Sequence, residues 1–284
     1  MRLKLYLAGL ASNQVMSKWV IENFPAIGVL VSFAFPETVT KAIGYGFSSV
    51  MLDSGAFSVK NSNTKIDINA YIDFIKENKD HLAVAVSLDV LDDYKRSIEN
   101  WDYITSAGVT TMPVYHYCEP IWVLDYYVKN ADYVGLSVVN ESSMKNWREI
   151  FPMVKRTFSR YPDKKYHIFG MTIPRVITSF PTYSCDALTW RNGSRFSQVI
   201  TPYGRWHLNY KRGHKVNYVE LLASGIFEYL ECKYGIKKEW YDDKDFDWKT
   251  IDMVNIAELY EMLVKGAHEN ISTDIGLAEQ AHFM

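Results

Sequence analysis

The sequence predicts an α/β fold, a (β/α)8 TIM barrel followed by a C-terminal helical extension, and three observations carry that expectation. Eight short apolar runs recur along the chain, at 3–8, 28–33, 49–53, 82–89, 110–116, 133–138, 165–171 and 183–188. Stretches with helical spacing separate them: at 69–78 Tyr71, Ile72, Phe74 and Ile75 share one side, and 143–160 repeats the pattern. Several runs are apolar nearly throughout, as in Val84-Ala85-Val86-Ser87-Leu88, which is how parallel strands covered on both faces read. Eight such units close a barrel near residue 190, and 284 residues leave room beyond the ~250 that a barrel uses. A doubly wound open sheet is the alternative, because short strands are easily miscounted.

Composition supports a folded domain and excludes several function classes. An apolar share of 48% supplies a core, and 15% aromatic content speaks against disorder. Lys and Arg number 31 against 33 Asp and Glu, a net charge of -2, so no global basicity announces nucleic acid; only a local patch is compatible with it. The longest apolar run, 26–35, is interrupted by Ser32 and falls short of the ~18 residues of a membrane span, so no membrane partner is expected. The first residues loosely imitate a signal peptide but read equally well as a buried first strand. Cys118, Cys185 and Cys232 are far apart and odd in number, which offers neither a disulfide framework nor a metal clasp and makes the cytoplasm the expected compartment.

The texture changes after Leu188. From 191 to 219 there is no acidic residue, while Arg191, Arg195, Arg205, Lys211, Arg212 and Lys215 are interleaved with Phe196, Tyr203, Trp206, Tyr210 and Tyr218. Cations for phosphates and aromatic faces for bases fit a nucleic-acid strand, and His207 and His214 stand where they could touch phosphate; a solvated loop with a few buried aromatics is the plainer reading. Helices are expected over 217–234 and, after an acidic and aromatic segment at 239–248, over 251–266. The expected domains are a barrel over 1–215, basic stretch included, and a helical extension over 216–284.

Barrel active sites are built at the carboxyl ends of the strands. There the third run ends in Asp53-Ser-Gly-Ala-Phe57, the fourth in Ser87-Leu-Asp89 and the fifth in Val114-Tyr-His116, while the eighth carries Cys185-Asp186. Each carboxylate has a bland alternative. Asp53 before Ser-Gly is a ready Asx turn, and Asp89 suits a cap for the helix starting near Asp92. Asp186 sits within a buried run, where a carboxylate is costly unless paired or functional. His167 reads as a hydrogen-bonded core histidine, and no HxH or HExxH spacing supports a metal site.

In order, Asp53-Ser-Gly-Ala-Phe57, Ser87-Leu-Asp89, Gly135-Leu-Ser-Val-Val, Phe169-Gly170 and Cys185-Asp186 followed by Arg191-Asn192 resemble the motifs of the tRNA-guanine transglycosylase superfamily over 49–193. The chain looks most like the DNA-guanine transglycosylases of phages and bacterial modification islands, because the zinc-binding CxCxxC insertion of the tRNA enzymes has no counterpart. The resemblance implies Asp186 as nucleophile and Asp53 as general acid/base. It also implies Asp89 reading the N1–H and amine of the base, Gly135 making a backbone contact to its carbonyl oxygen, and Phe57 and Phe169 sandwiching it. His116 and Gly170 complete the expected base site, His116 standing near a position usually held by glutamine. Asn140 or Glu141 falls where the tRNA enzymes face the 7-substituent.

The implied partners are DNA, with tRNA as the alternative, and a 7-deazaguanine base such as 7-cyano-7-deazaguanine (preQ0), with no cofactor. Replacing a base with retention of configuration calls for two inversions, hence one carboxylate as nucleophile and another as proton shuttle. An opposite charge such as Arg191 would suit the nucleophile. The competing readings are a metal-dependent barrel hydrolase or lyase using Asp53, Asp89 and His116, and a non-catalytic nucleic-acid-binding barrel.

Overall fold

All eight expected strands form: β1 (Lys4–Ala8), β2 (Gly28–Ser32), β3 (Val50–Asp53), β4 (Val84–Ala85), β5 (Val114–His116), β6 (Tyr133–Ser137), β7 (Lys165–Phe169) and β8 (Ser184–Ala187). The structure is a computed structural model that describes residues 3–56, 66–137, 147–208, 218–242 and 246–266. The strands are parallel in the order β4-β3-β2-β1-β8-β7-β6-β5. The two outer strands meet through a parallel bridge between Val86 and Met112, where Met112 N–H donates to Ala85 O and Ser87 N–H to Met112 O, both at 2.8 Å. The sheet therefore closes on itself and has no free edge, as the (β/α)8 expectation requires.

β4 and β5 are shorter than their apolar runs for local reasons. Pro113 has no N–H to give the ladder, so regular pairing in β5 begins at Val114. Beyond Val86 the chain turns back on itself, with Asp89 N–H donating to Ser87 O at 3.1 Å.

Tyr6 of β1, Met51 of β3, Val86 just after β4, Met112 just before β5 and Val114 at its start fill the interior, each fully buried side chain contributing ~1.5–3 kcal/mol. Room for Tyr6 comes from Gly28 on the neighbouring strand, where a Cβ would stand 2.6 Å from the Tyr6 ring.

The helices between strands start where the sequence provides caps. Asp67 accepts from Asn69 N–H at 2.9 Å to open Ile68–Asn78, and Asp93 accepts from Arg96 N–H at 3.0 Å to open Tyr94–Ser106. Ile68–Asn78 turns Tyr71, Ile72 and Ile75 inward, as its spacing predicts, and Tyr71 O–H donates to Val86 O at 2.6 Å.

The chain divides into two compact units, one running up to Ala187 and the other spanning Leu188–Lys265. The boundary precedes the basic stretch, which groups with the following helices and not with the barrel as drawn at 215. Within the second unit, the strands Gln198–Thr201 and Gly204–His207 form an antiparallel hairpin where the plainer reading was a solvated loop. Val199, Leu208, Leu221, Leu230, Trp248 and Ile251 form this unit's core. Buried Asn255 accepts from Ile200 N–H at 2.7 Å and donates to Gln198 O at 3.0 Å, tying the helix Lys249–Leu259 to the hairpin. The helix expected over 217–234 is two, Tyr218–Ala223 and Ile226–Tyr234, because Gly225 between them takes a left-handed φ of 70°.

Candidate active site

β3 ends at Asp53, and Ser54-Gly55 turns the chain there. The Asp53 Oδ2 accepts the Gly55 N–H at 2.9 Å. Gly55 has φ +87°, and a Cβ there would meet Ala34 N at 2.9 Å, so only glycine allows this turn. The Asx turn and the candidate site are thus the same feature. Burial, then the charge of Asp89 and in smaller measure that of Asp186, push the Asp53 carboxyl up to about 7, against the pull of the Gly55 N–H. The charges of Asp89 and Asp186, both named from the sequence, are thus near enough to act on Asp53.

Asp89 is not a helix cap, since Asp93 has that task. Its Oδ2 lies 2.8 Å from His116 Nε2 at the end of β5. Burial works to lower the His116 pKa, but the Asp89 hydrogen bond and charge, with Glu119 and Asp92, outweigh it and the net direction is upward. The backbone N–H of His116 donates to Glu119 Oε2 at 3.1 Å. Burial pushes Glu119 up to about 7, opposed by the His116 charge and that N–H. Sequence reasoning missed Glu119; the available signal was an acid three residues beyond a strand-end histidine.

Asp186 lies on β8 with its Oδ1 close to two nitrogens, one on β7 and one in the turn after it. Gly170 N–H donates at 2.7 Å, and His167 Nε2 stands at 3.3 Å. Among the described residues its Oδ2 takes no hydrogen bond and is not sealed from solvent. One carboxylate oxygen is anchored and the other is open. The anchor is Gly170, where the sequence offered Arg191. Arg191 stacks over the Trp190 ring at 5.8 Å and its charge acts on Asp252.

Gly135 and Phe169 work as a pair. The Gly135 N–H donates to Pro113 O at 2.8 Å within the sheet, so it is not available for a base carbonyl, which corrects the expected backbone contact. What Gly135 provides is space: a Cβ there would lie 2.5 Å from Phe169 Cε2, so the half-buried Phe169 ring rests on it. Phe169 also meets His167 edge-on, with centroids 4.3 Å apart. Gly135→Ala is expected to destabilise by about 1–3 kcal/mol through overpacking, and adding Phe169→Ala should recover part of the lost Tm. Thermal denaturation of the single and double variants checks this; additive losses would show that the two do not share the space.

The other expected contacts divide by position. Phe57, Asn140, Glu141, Lys211, Arg212 and His214 lie outside the described residues. In the second unit Arg195 is exposed and stacks on Phe196 at 5.0 Å, and Arg205 and Tyr203 are also exposed, Tyr203 at 73%. His207 is not poised for phosphate: it accepts from the Gln198 amide at 3.0 Å and donates to Phe196 O at 3.2 Å. Among the described residues no three His, Cys, Asp or Glu side chains are grouped so as to hold a metal ion. No described helix is long and apolar enough to cross a membrane.

No family model matches the chain, and no curated protein sequence does. Its fold is similar to solved structures. One is a variant tryptophan synthase alpha-subunit from Pyrococcus furiosus, with 12% identity and TM-score 0.42 over 66% of this chain and 86% of that one. Another is an N-acetylneuraminate lyase from Mycoplasma synoviae, with 10% identity and TM-score 0.48 over 68% of this chain and 72% of that one. Both are enzymes, and at such identities the likeness concerns the fold alone.

Proposed function

We propose that this chain is an enzyme, a DNA-guanine transglycosylase that exchanges guanine in DNA for a 7-deazaguanine base. The observation that carries the reading is the unequal pair of carboxylates at the barrel mouth. Asp53 titrates near 7, where a group can both give and take a proton, and Asp186 has one oxygen anchored and one open.

Asp186 Oδ2 attacks C1′ of the nucleotide from the α face. The C1′–N9 bond breaks, its electron pair leaves with guanine, and Asp53 gives that guanine a proton. The incoming base then yields its N9 proton to the Asp53 carboxylate, its nitrogen forms the new bond to C1′, and the C1′–O bond to Asp186 breaks with the pair returning to the carboxylate. Two inversions leave the β configuration unchanged. Asp89, held by its His116 partner, offers carboxylate acceptors for the N1–H and amine of a guanine-like base, and Phe169 a flat apolar surface for its ring. A base within a duplex cannot reach a barrel mouth, so the nucleotide is taken unstacked or single-stranded. The exposed Arg195, Phe196, Tyr203 and Arg205 of the second unit suit phosphates and bases.

The test is incubation with guanine-containing DNA and, separately, tRNA in the presence of labelled preQ0. Label is expected in DNA and not in tRNA. Label in tRNA alone would move the assignment to the tRNA-modifying chemistry, and folded protein that labels neither polymer would overturn the reading.

A further inference from the structure

The nucleophile assigned above stands at the end of a buried polar chain that the proposed chemistry does not yet use. His167 Nδ1 lies 2.6 Å from Ser184 Oγ, and Ser184 Oγ in turn is hydrogen-bonded to Tyr133 O–H. His167 and Ser184 are wholly buried, and they come from β7 and β8, with Tyr133 from β6. The imidazole is held edge-on between Tyr6, at 6.1 Å, and Phe169, so its plane is set by packing. A barrel interior is cheapest when filled with apolar side chains; three linked polar groups that end on one carboxylate need a reason.

We infer that Tyr133, Ser184 and His167 form a one-directional hydrogen-bond relay that positions Asp186 and stabilises it as the carboxylate leaving the sugar. The direction follows from valence. An ionised carboxylate only accepts, so an imidazole that carries a single proton places it on Nε2 in this arrangement. Its bare Nδ1 must then accept from Ser184 O–H, and the Ser184 oxygen accepts from Tyr133 O–H. Burial moves the Tyr133 pKa upward and keeps it a donor. Every proton in the chain points toward Asp186, and Gly170 N–H adds a second donor to the same oxygen.

The inference rests on the proposed exchange reaction and refines it. Donors to Oδ1 favour the carboxylate over the ester. They therefore aid the second displacement, in which the C1′–O bond breaks, more than the first, in which the carboxylate attacks. Tyr133, Ser184 and His167 are positioning residues: each acts through Asp186 and none needs to touch the base.

The test uses the full chain and separates the two steps. Rapid-quench measurement with DNA, without and then with preQ0, gives adduct formation and adduct resolution. Ser184→Ala and His167→Gln are expected to slow resolution about 10–100-fold while changing formation little, so that the covalent adduct accumulates. Tyr133→Phe, which keeps the ring, should show the same split more weakly. A merely structural role would lower both steps together with the folded fraction, and equal losses, or wild-type rates in all three variants, would overturn the relay. Nitrogen NMR of the free protein provides a readout that does not depend on activity. His167 is expected as the Nε2–H tautomer in wild type and as a mixture in Ser184→Ala; an Nδ1–H tautomer in wild type would also overturn it. If wild type forms no adduct with any polymer, the exchange reaction fails and the NMR result decides the relay on its own.

Discussion

Under the proposed exchange reaction, Asp186→Asn is expected to abolish the covalent protein–DNA adduct and to lower base exchange by a factor on the order of 10^4 or more, in a chain that still folds. The expected loss is large because an amide oxygen carries no charge with which to displace a base from C1′, and no other described carboxylate has an oxygen held in the same place. Folding should survive because the substitution conserves volume and leaves an oxygen to accept the Gly170 N–H, now at 2.7 Å. Denaturing electrophoresis of enzyme mixed with labelled DNA, read beside circular dichroism, measures both. An adduct persisting in Asp186→Asn would remove Asp186 from the reaction. Loss of the fold would instead make its role structural, and Asp186→Ser, which leaves a smaller acceptor, would then separate the two.

Asp53→Asn should cost about 10^2–10^4-fold in exchange rate and at the same time raise stability at alkaline pH. The two effects have one origin. In the folded protein the carboxyl is pushed up to about 7 from an ordinary 3.8, so the folded state holds its proton more tightly than the unfolded chain does. That stabilisation is complete below about 4, declines as pH rises and is gone above about 7, where a half-buried anion feels the charges of Asp89 and Asp186. At pH 8 the charge costs on the order of 4 kcal/mol, from a shift of 3.8 to about 7 at about 1.4 kcal/mol per pK unit. Asparagine carries no such charge, so the variant's Tm should exceed that of wild type at pH 8 and converge with it near pH 4. Glu119, also pushed up to about 7, gives wild type a second contribution of the same sign that Asp53→Asn leaves in place. In wild type, adduct formation should fall as pH rises through about 7, because Asp53 must be protonated to release guanine. Resolution should rise over the same range, because the carboxylate must accept a proton. Variant and wild type sharing the same pH limbs would assign the proton transfers to another group, with Glu119 the first to examine.

Much of the fold was legible in the sequence because its signals are local. Eight apolar runs and the helices between them were set by spacing, and the Asx turn at Asp53 by Ser54-Gly55. The shortfall in β5 is local too, since Pro113 cannot donate. What was not legible depended on partners distant in sequence. Gly135 is a motif position whose N–H is bound to Pro113 O and whose missing Cβ admits Phe169 from the next strand; a motif does not disclose either contact. Glu119 acquires its high pKa from burial among groups that fold around it. The boundary after Ala187 arises because a hairpin over 198–207 packs with the helices that follow it, and composition alone grouped that stretch with the barrel.

The chain by itself determined that there is a parallel α/β barrel, that Asp53, Asp89 and Asp186 sit at strand ends, and that cationic and aromatic residues alternate after Arg191. Periodicity and turn chemistry are properties of a few neighbouring residues, and they survive being read in one dimension. Tertiary structure alone decided that the sheet closes through Val86 and Met112, that Asp53 holds its proton to about 7, and that Asp186 is anchored by Gly170 and faces His167. Proton affinity and hydrogen-bond direction depend on how much water is excluded and on which charges approach, and those are set only when strands far apart in the chain come to lie side by side.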